Sequence, residues 1–412
     1  MKNLLVYAHY YYPDVASTGQ ILTELAEGLA DSFNVTVICT VPSYTGVIEE
    51  RYKTDSIYHE EINGVQVLRI RVPEFKKNNT LSRVRNILSY FVGAVFATSK
   101  VGPQDLIYTI SQPPLLGGIL GVYGKRKKGA KLIYNIQDFN PEQMEAVSFV
   151  KNKVLIGALR AIDCRCCRSA DEVIIVGRDM VETLKKRFPQ KMPKYVHINN
   201  WINEDEIVPL PKDNKRVLGF KEKYGLKNKF IIMYSGNIGL YYDLLELQKI
   251  MNEFACYEGV RFVFVGQGSV LDEMKRYSES LAHNNMVFIP YQKKEDLVYS
   301  LNAADVHLVV NARGIKGVSV PSKIYGVMAA GKPVLGILEE GAEARIIVEE
   351  SDCGIVVDPG DYDAIRKSIK YYIENKDTSR LREMGANGRR FLEANLKRET
   401  SIRKYAEELK NL

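Results

Sequence analysis

The chain has 412 residues, 46% of them apolar, which is enough for two hydrophobic cores and more than one compact domain usually holds. No apolar run reaches the length needed to span a bilayer, and no apolar stretch of signal-peptide type follows Met1-Lys2-Asn3, so a cytoplasmic place is expected. The net charge of +7 arises entirely in residues 1–200, where 26 Lys and Arg stand against 19 Asp and Glu, whereas residues 201–412 hold 31 of each; such a basic half attracts polyanions or anionic lipid headgroups.

The first half alternates short apolar runs with helical periodicity. Residues 4–8 read as a buried strand, followed by a tyrosine-rich loop and a helix over about 18–31 with Ile21, Leu22, Leu25 and Leu29 on one face. Further strands are predicted at 35–39, 65–71, 106–108, 132–134, 173–176 and 195–198. Strands spaced by helices imply a parallel sheet with crossover helices. Residues 203–214 are acidic and punctuated by Pro209 and Pro211, the signature of an interdomain linker. The pattern then restarts, with strands at 230–234, 261–265, 287–289, 306–310, 333–337 and 354–357, and closes with a charged helical tail from Asp361. The expected fold is therefore α/β, with two Rossmann-like domains at 1–203 and 204–391.

In such sheets ligands gather beyond the carboxyl ends of strands, so the loops that follow strands carry the chemistry. After the first strand, Ser17-Thr18-Gly19 opens a helix, where unpaired N–H groups suit an anion; a plain N-cap at Ser17 or Thr18 is the other reading. In the second half, Ser235-Gly236-Asn237-Ile238-Gly239 also joins a strand to a helix, with glycines for close backbone approach and an Asn that can donate to phosphate oxygens. Gly266-Gln267-Gly268 is a similar turn, but it lacks the third glycine of the dinucleotide fingerprint, which argues against a dehydrogenase. Pro321-Ser322-Lys323 begins a helix that ends at Gly331. A lysine in a first turn opposes the helix dipole unless an anion shares the site, and a diphosphate would be a natural occupant. The cysteines of Asp163-Cys164-Arg165-Cys166-Cys167 lack a second ligand pair nearby and read as buried thiols rather than a metal site.

Taken in order, these motifs resemble the retaining GT-B glycosyltransferases of family 4, particularly bacterial O-antigen and capsule transferases of the N-acetylfucosaminyltransferase type. The resemblance rests on Pro321-Ser322-Lys323 with Met328-Ala329-Ala330-Gly331-Lys332-Pro333-Val334, on Tyr11-Tyr12-Pro13, on Gln137-Asp138-Phe139-Asn140-Pro141-Glu142, on Asn200-Trp201 and on the two glycine turns. It implies a nucleoside-diphosphate sugar, UDP-linked, held by the second domain in a cleft without a metal or other cofactor, and a final helix of about 392–412 that packs back on the first domain. The base would lie near Tyr291 and Gln292, and the diphosphate near Gly236, Asn237, Ser322 and Lys323, beside Gly266, Gln267 and Gly268. The acceptor would pass the Ser17-Thr18-Gly19 loop, with Asp138, or less strongly His9, as the catalytic group. Two features depart from the pattern. Gly326 and Val318 stand where relatives carry a glutamate pair, and Leu240-Tyr241 replace an Arg and a Lys, so Arg313 or Lys316 must assist the phosphates.

Residues 83–96 combine Arg83 and Arg85 with an apolar face, which fits either peripheral docking on an anionic membrane, as a lipid-linked saccharide acceptor would require, or an ordinary crossover helix. A nucleotide-sugar 2-epimerase of the same architecture and a non-catalytic partner subunit are the competing readings. A nucleic-acid partner is not expected, since the basic residues are scattered rather than interleaved with aromatics.

Overall fold

The computed structural model describes residues 1–14, 16–76, 79–146 and 152–412. The chain folds into two compact units, one of Met1–Asn200 with Glu399–Leu412 and one of Trp201–Arg398.

The first unit contains strands β1 (Lys2–Tyr7), β2 (Phe33–Thr40), β3 (Ile57–Ile62), β4 (Val65–Ile70), β5 (Leu106–Ile110), β6 (Lys131–Ile136), β7 (Glu172–Ile175) and β8 (Tyr195–His197), in the order β3-β4-β2-β1-β5-β6-β7-β8. Helices α1 (Ser17–Leu29), α2 (Thr80–Lys100), α3 (Leu116–Lys128), α4 (Asn140–Ala146), α5 (Lys153–Ser169) and α6 (Met180–Arg187) lie between them. The central strands are apolar on both faces because helices cover both sides, as parallel sheets require. One edge differs from expectation: β3 pairs antiparallel with β4. Its sequence, Ile-Tyr-His-Glu-Glu-Ile, is too polar to read as a strand by hydrophobicity. The hairpin is made by Asn63-Gly64, both at positive φ (48° and 79°), the conformation of a two-residue primed turn.

The second unit contains β9 (Phe230–Ser235), β10 (Val260–Val265), β11 (Met286–Ile289), β12 (Val306–Val310), β13 (Val334–Ile337) and β14 (Gly354–Val357), all parallel, in the order β11-β10-β9-β12-β13-β14. Its helices are α7 (Lys215–Lys223), α8 (Leu244–Asn252), α9 (Leu271–Glu279), α10 (Leu297–Ala303), α11 (Lys323–Ala329), α12 (Glu343–Ser351), α13 (Tyr362–Glu374) and α14 (Ser379–Asn395). The direction of strand addition reverses between β9 and β12, which makes a topological switch point there. The β9–β12 ladder pairs only Val306 with Ile232 and His307 with Met233, so the two strands part toward their carboxyl ends and leave room beside Tyr234.

The stretch after Trp201 is tied down within this unit. The Arg389 guanidinium donates to the carbonyls of Glu204 (3.1 Å) and Ile207 (2.8 Å), and the Asn302 side chain brackets Val208 and Leu210. The tail from Asp361 is three helices, α13, α14 and α15 (Arg398–Asn411); the final helix starts at Arg398 rather than near 392, because α14 runs on to Asn395. On α15, Tyr405 is buried against Tyr108 (ring centroids 6.1 Å) and accepts from Asn135 Nδ2 at 2.5 Å.

Candidate functional site

In the second unit the two glycine turns pack backbone to backbone. Gly236 N donates to the Val265 carbonyl (2.9 Å), Ile238 N to that of Gln267 (2.9 Å), and Gly266 N to that of Ile289 (3.0 Å). Gly266 lies at φ +148°, and a Cβ added there would meet the Gly236 carbonyl oxygen at 1.9 Å. The same addition at Gly268 would meet the Ile238 carbonyl at 2.0 Å. Glycine is thus required for contact as well as conformation. Gly266→Ala is expected to destabilise this unit by about 2 kcal/mol or more and to weaken nucleotide binding, checked by thermal unfolding and by titration with UDP.

Lys323 rises beside this ledge from the first residue of α11, with Ser322 exposed as the preceding cap residue. Its Nζ donates to Tyr234 Oη (2.9 Å) and sits 4.1 Å from the centroid of the Tyr234 ring and 3.9 Å from that of Tyr242. Tyr234 Oη in turn donates to the Asn237 carbonyl (2.6 Å), and the lysine's Cε lies 3.6 Å from where a Gly236 Cβ would be. Loss of water among these groups pushes the Lys323 ammonium down to about 7. The facing rings favour the charged form only partly. What results is a half-buried cation at the switch point, over a glycine ledge, with aromatic rather than carboxylate neighbours.

In the first unit the corresponding switch point lies between β1 and β5. The loop after β1 folds onto α1: a Cβ added at Gly19 would stand 3.2 Å from the Tyr10 carbonyl, and Tyr12 N donates to Thr23 Oγ1 (3.0 Å). Neither Ser17 nor Thr18 is the N-cap, as one reading of the sequence had it; Ala16 occupies that place and its side chain makes no cap bond. Ser17 is exposed and Thr18 half-buried. The buried Arg69 holds the loop from below, donating to the Tyr12 carbonyl (2.6 Å) and to Glu60 (2.6 Å). His9 is buried against Tyr10 and Tyr90, with ring centroids 4.2 and 5.0 Å away, and burial lowers it to about 4, so it is neutral at physiological pH.

Asp138 follows β6, half-buried, and accepts from Gln112 Nε2 (3.2 Å), which belongs to the loop after β5. Ser111 Oγ accepts from both Gln137 N (3.1 Å) and Asp138 N (3.2 Å), and Asn140 Nδ2 donates to the Ser111 carbonyl (2.8 Å). Beneath the loop, Gln137 exchanges hydrogen bonds with Asn200 (2.7 and 3.3 Å) and donates to Asn135 (2.7 Å). On its far side, Arg187 bonds Glu142 through two nitrogens and Asp163 at 2.6 Å, stacks over Phe139 (4.3 Å), and shares Glu142 with Arg160. Burial alone would raise the Glu142 carboxyl, but Arg187 and Arg160 outweigh it and hold it below the usual range. Among the described residues no three His, Cys, Asp or Glu side chains gather as a metal site would require.

The two halves match two glycosyltransferase domain models: residues 18–201 match the glycosyl transferase 4-like domain and residues 219–391 the glycosyl transferases group 1 domain. The chain is 29% identical to WbjE of Pseudomonas aeruginosa, named a probable glycosyltransferase, with 82% of each chain covered. It is 24% identical, over 99% of each chain, to WcaI of Escherichia coli (strain K12), whose name assigns it provisionally to colanic acid biosynthesis as a glycosyl transferase. This chain is a glycosyltransferase. Its fold is GT-B, similar to that of HepE of Anabaena solved in complex with UDP and glucose (TM-score 0.72, 15% identity, 100% of both chains covered).

In this glycosyltransferase the sequence-predicted donor residues fall into three groups. Gly236, Asn237, Gly266, Gln267, Gly268 and Lys323 converge on one ledge. Tyr291 and Gln292 follow β11 at the same end of the sheet, with Tyr291 exposed. Arg313 and Lys316 also lie at that end but turn toward the opposite edge. Arg313 donates to the Pro359 carbonyl (2.9 Å), and Lys316 Nζ lies 3.0 Å from where a Gly341 Cβ would be. Two residues escaped the sequence reading, Tyr234 and Tyr242. Tyr234 lies in the apolar run of β9 and reads as core there; its hydroxyl meets Lys323 only because β12, which leads to Lys323, lies next to β9.

Proposed function

We propose that this glycosyltransferase moves a sugar from a nucleoside-diphosphate donor, UDP-linked, to a lipid-linked saccharide in bacterial surface polysaccharide synthesis, with retention of configuration. The observation that carries the donor half is the caged Lys323 over the glycine ledge: a half-buried cation with ring neighbours is suited to a dianionic diphosphate, whose oxygens complete it. In this reading Lys323 takes the place of a metal. UDP in HepE and the colanic acid biosynthesis in the name of WcaI support the choice of donor and pathway class. An acceptor carried on lipid brings the enzyme to the face of an anionic membrane, in keeping with its basic first half.

Asp138 is the carboxylate placed to orient or deprotonate the acceptor, steadied by Gln112 and the Ser111 hydroxyl. The test is a nucleotide-release assay with UDP-, GDP- and ADP-sugars, in EDTA, supplied with polyprenyl-diphosphate saccharides. UDP release that depends on acceptor is expected, with the product anomer assigned by NMR. Asp138→Asn is expected to lower turnover by about 100-fold or more while UDP affinity stays within about twofold. Near-normal turnover in the variant would remove Asp138 from the mechanism. A soluble sugar product formed without acceptor would instead favour an epimerase.

A further inference from the structure

Helix α2 has two apolar faces. The face toward the sheet is built of Tyr90, Ala94 and Ala97 with the buried Asn86. Gly93 lets the helix press on β4, since a Cβ there would stand 2.3 Å from Ile70 Cγ2. About half a helical turn away, Leu81, Leu88, Val92 and Phe96 form a second stripe that faces out, 78%, 49%, 51% and 66% exposed. A crossover helix that merely covers a sheet needs one apolar face and places polar residues on the other.

The outward stripe borders a groove of about 910 Å³ whose other wall includes Ile57 of the β3 edge. Three cations, Arg71, Arg85 and Lys100, line the same groove, and no carboxylate does. The helix itself, residues 80–100, contains no Asp or Glu. No helix among the described residues is long and apolar enough to cross a membrane. Large apolar side chains flanked by cations, on a helix that does not span, are the composition of an element lying in a lipid interface. A second copy of the chain is disfavoured as the occupant, because it would bring like charges together around the stripe.

We infer that the outer face of α2 docks this enzyme on an anionic bilayer, with Leu81, Leu88, Val92 and Phe96 entering the lipid and Arg85 and Lys100 meeting its headgroups. This rests on the reading that the acceptor is lipid-borne and specifies the surface through which the membrane is met.

The test is co-sedimentation of the full chain with phosphatidylglycerol–phosphatidylethanolamine vesicles and with phosphatidylcholine vesicles. Binding to the anionic vesicles alone is expected. It should fall at least tenfold in Leu88→Glu/Phe96→Glu and on the order of tenfold in Arg85→Gln/Lys100→Gln. UDP titration of the same variants reads the donor site separately and should match the parent, so a lost surface is distinguished from a misread enzyme. Equal binding by parent and variants, no binding by the parent, or a dimer in sedimentation velocity that the Glu variant dissolves would each overturn the inference.

Discussion

Lys323→Met is expected to weaken UDP binding by about 10- to 100-fold, the cost of removing a charge-assisted contact from a partly desolvated site. The parent should also show a pH dependence that the variant lacks. With its ammonium pushed down to about 7, Lys323 is charged in the free enzyme below that pH and increasingly neutral above it. A bound diphosphate stabilises the cation and raises its pKa, so binding above pH 7 takes up a proton. Between pH 7.5 and 9, where the nucleotide is fully ionised, affinity should fall by up to about tenfold per pH unit. Calorimetry in two buffers of different protonation enthalpy checks this directly. Unchanged affinity over that range, with no proton uptake, would show that Lys323 is already charged in the free site. Loss of pH dependence in Lys323→Met, with the fold intact by circular dichroism, would locate the proton on this residue.

Arg187→Leu is expected to be the most damaging single change to the first unit. Its side chain is 1% exposed and lies between Asp163, 4% exposed, and Glu142. Removing the cation leaves the buried Asp163 carboxylate without its counter-charge and Glu142 with Arg160 alone, at a cost of about 3–5 kcal/mol. A fall in midpoint temperature on the order of 10 °C follows for a unit of this size. The same change frees Phe139 and Glu142, which flank the Asp138 loop, so transfer should suffer more than stability alone predicts. Adding Asp163→Asn and Glu142→Gln to Arg187→Leu removes the stranded charges and should recover part of the lost stability. No recovery would mean that the packing of Arg187 on Phe139, rather than the ion pairs, carries the effect.

These two sites show how differently motif residues act. Gln137-Asp138-Phe139-Asn140-Pro141-Glu142 is singled out in the sequence by its family resemblance and by its position after a strand. Yet Glu142 is an anchor for Arg187, and Gln137 joins a buried amide chain to Asn200, while Asp138, half-buried, accepts from Gln112. Two carboxylates four residues apart look alike in a sequence. Their partners, one a guanidinium from α6 and the other an amide from the loop after β5, come from distant segments. His9 illustrates the opposite case: a histidine after the first strand reads as a catalytic candidate, and the fold buries it against α2.

The sequence by itself determined the repeating strand–helix pattern, the division into two α/β halves, and the places where glycine turns follow strands, because period and turn chemistry are local properties of the chain. It also located Lys323 at the start of its helix. It carried the Asn63-Gly64 turn signal as well, but hydrophobicity alone passed over the polar strand that the turn creates. Only the tertiary structure decided strand order, and with it the meeting of Lys323 with Tyr234 and Tyr242 where β9 and β12 part. It alone decided which of the two apolar faces of α2 is covered by the sheet. Those outcomes depend on contacts between residues tens to hundreds of positions apart, whose energy is settled by packing and desolvation rather than by the preferences of neighbouring residues.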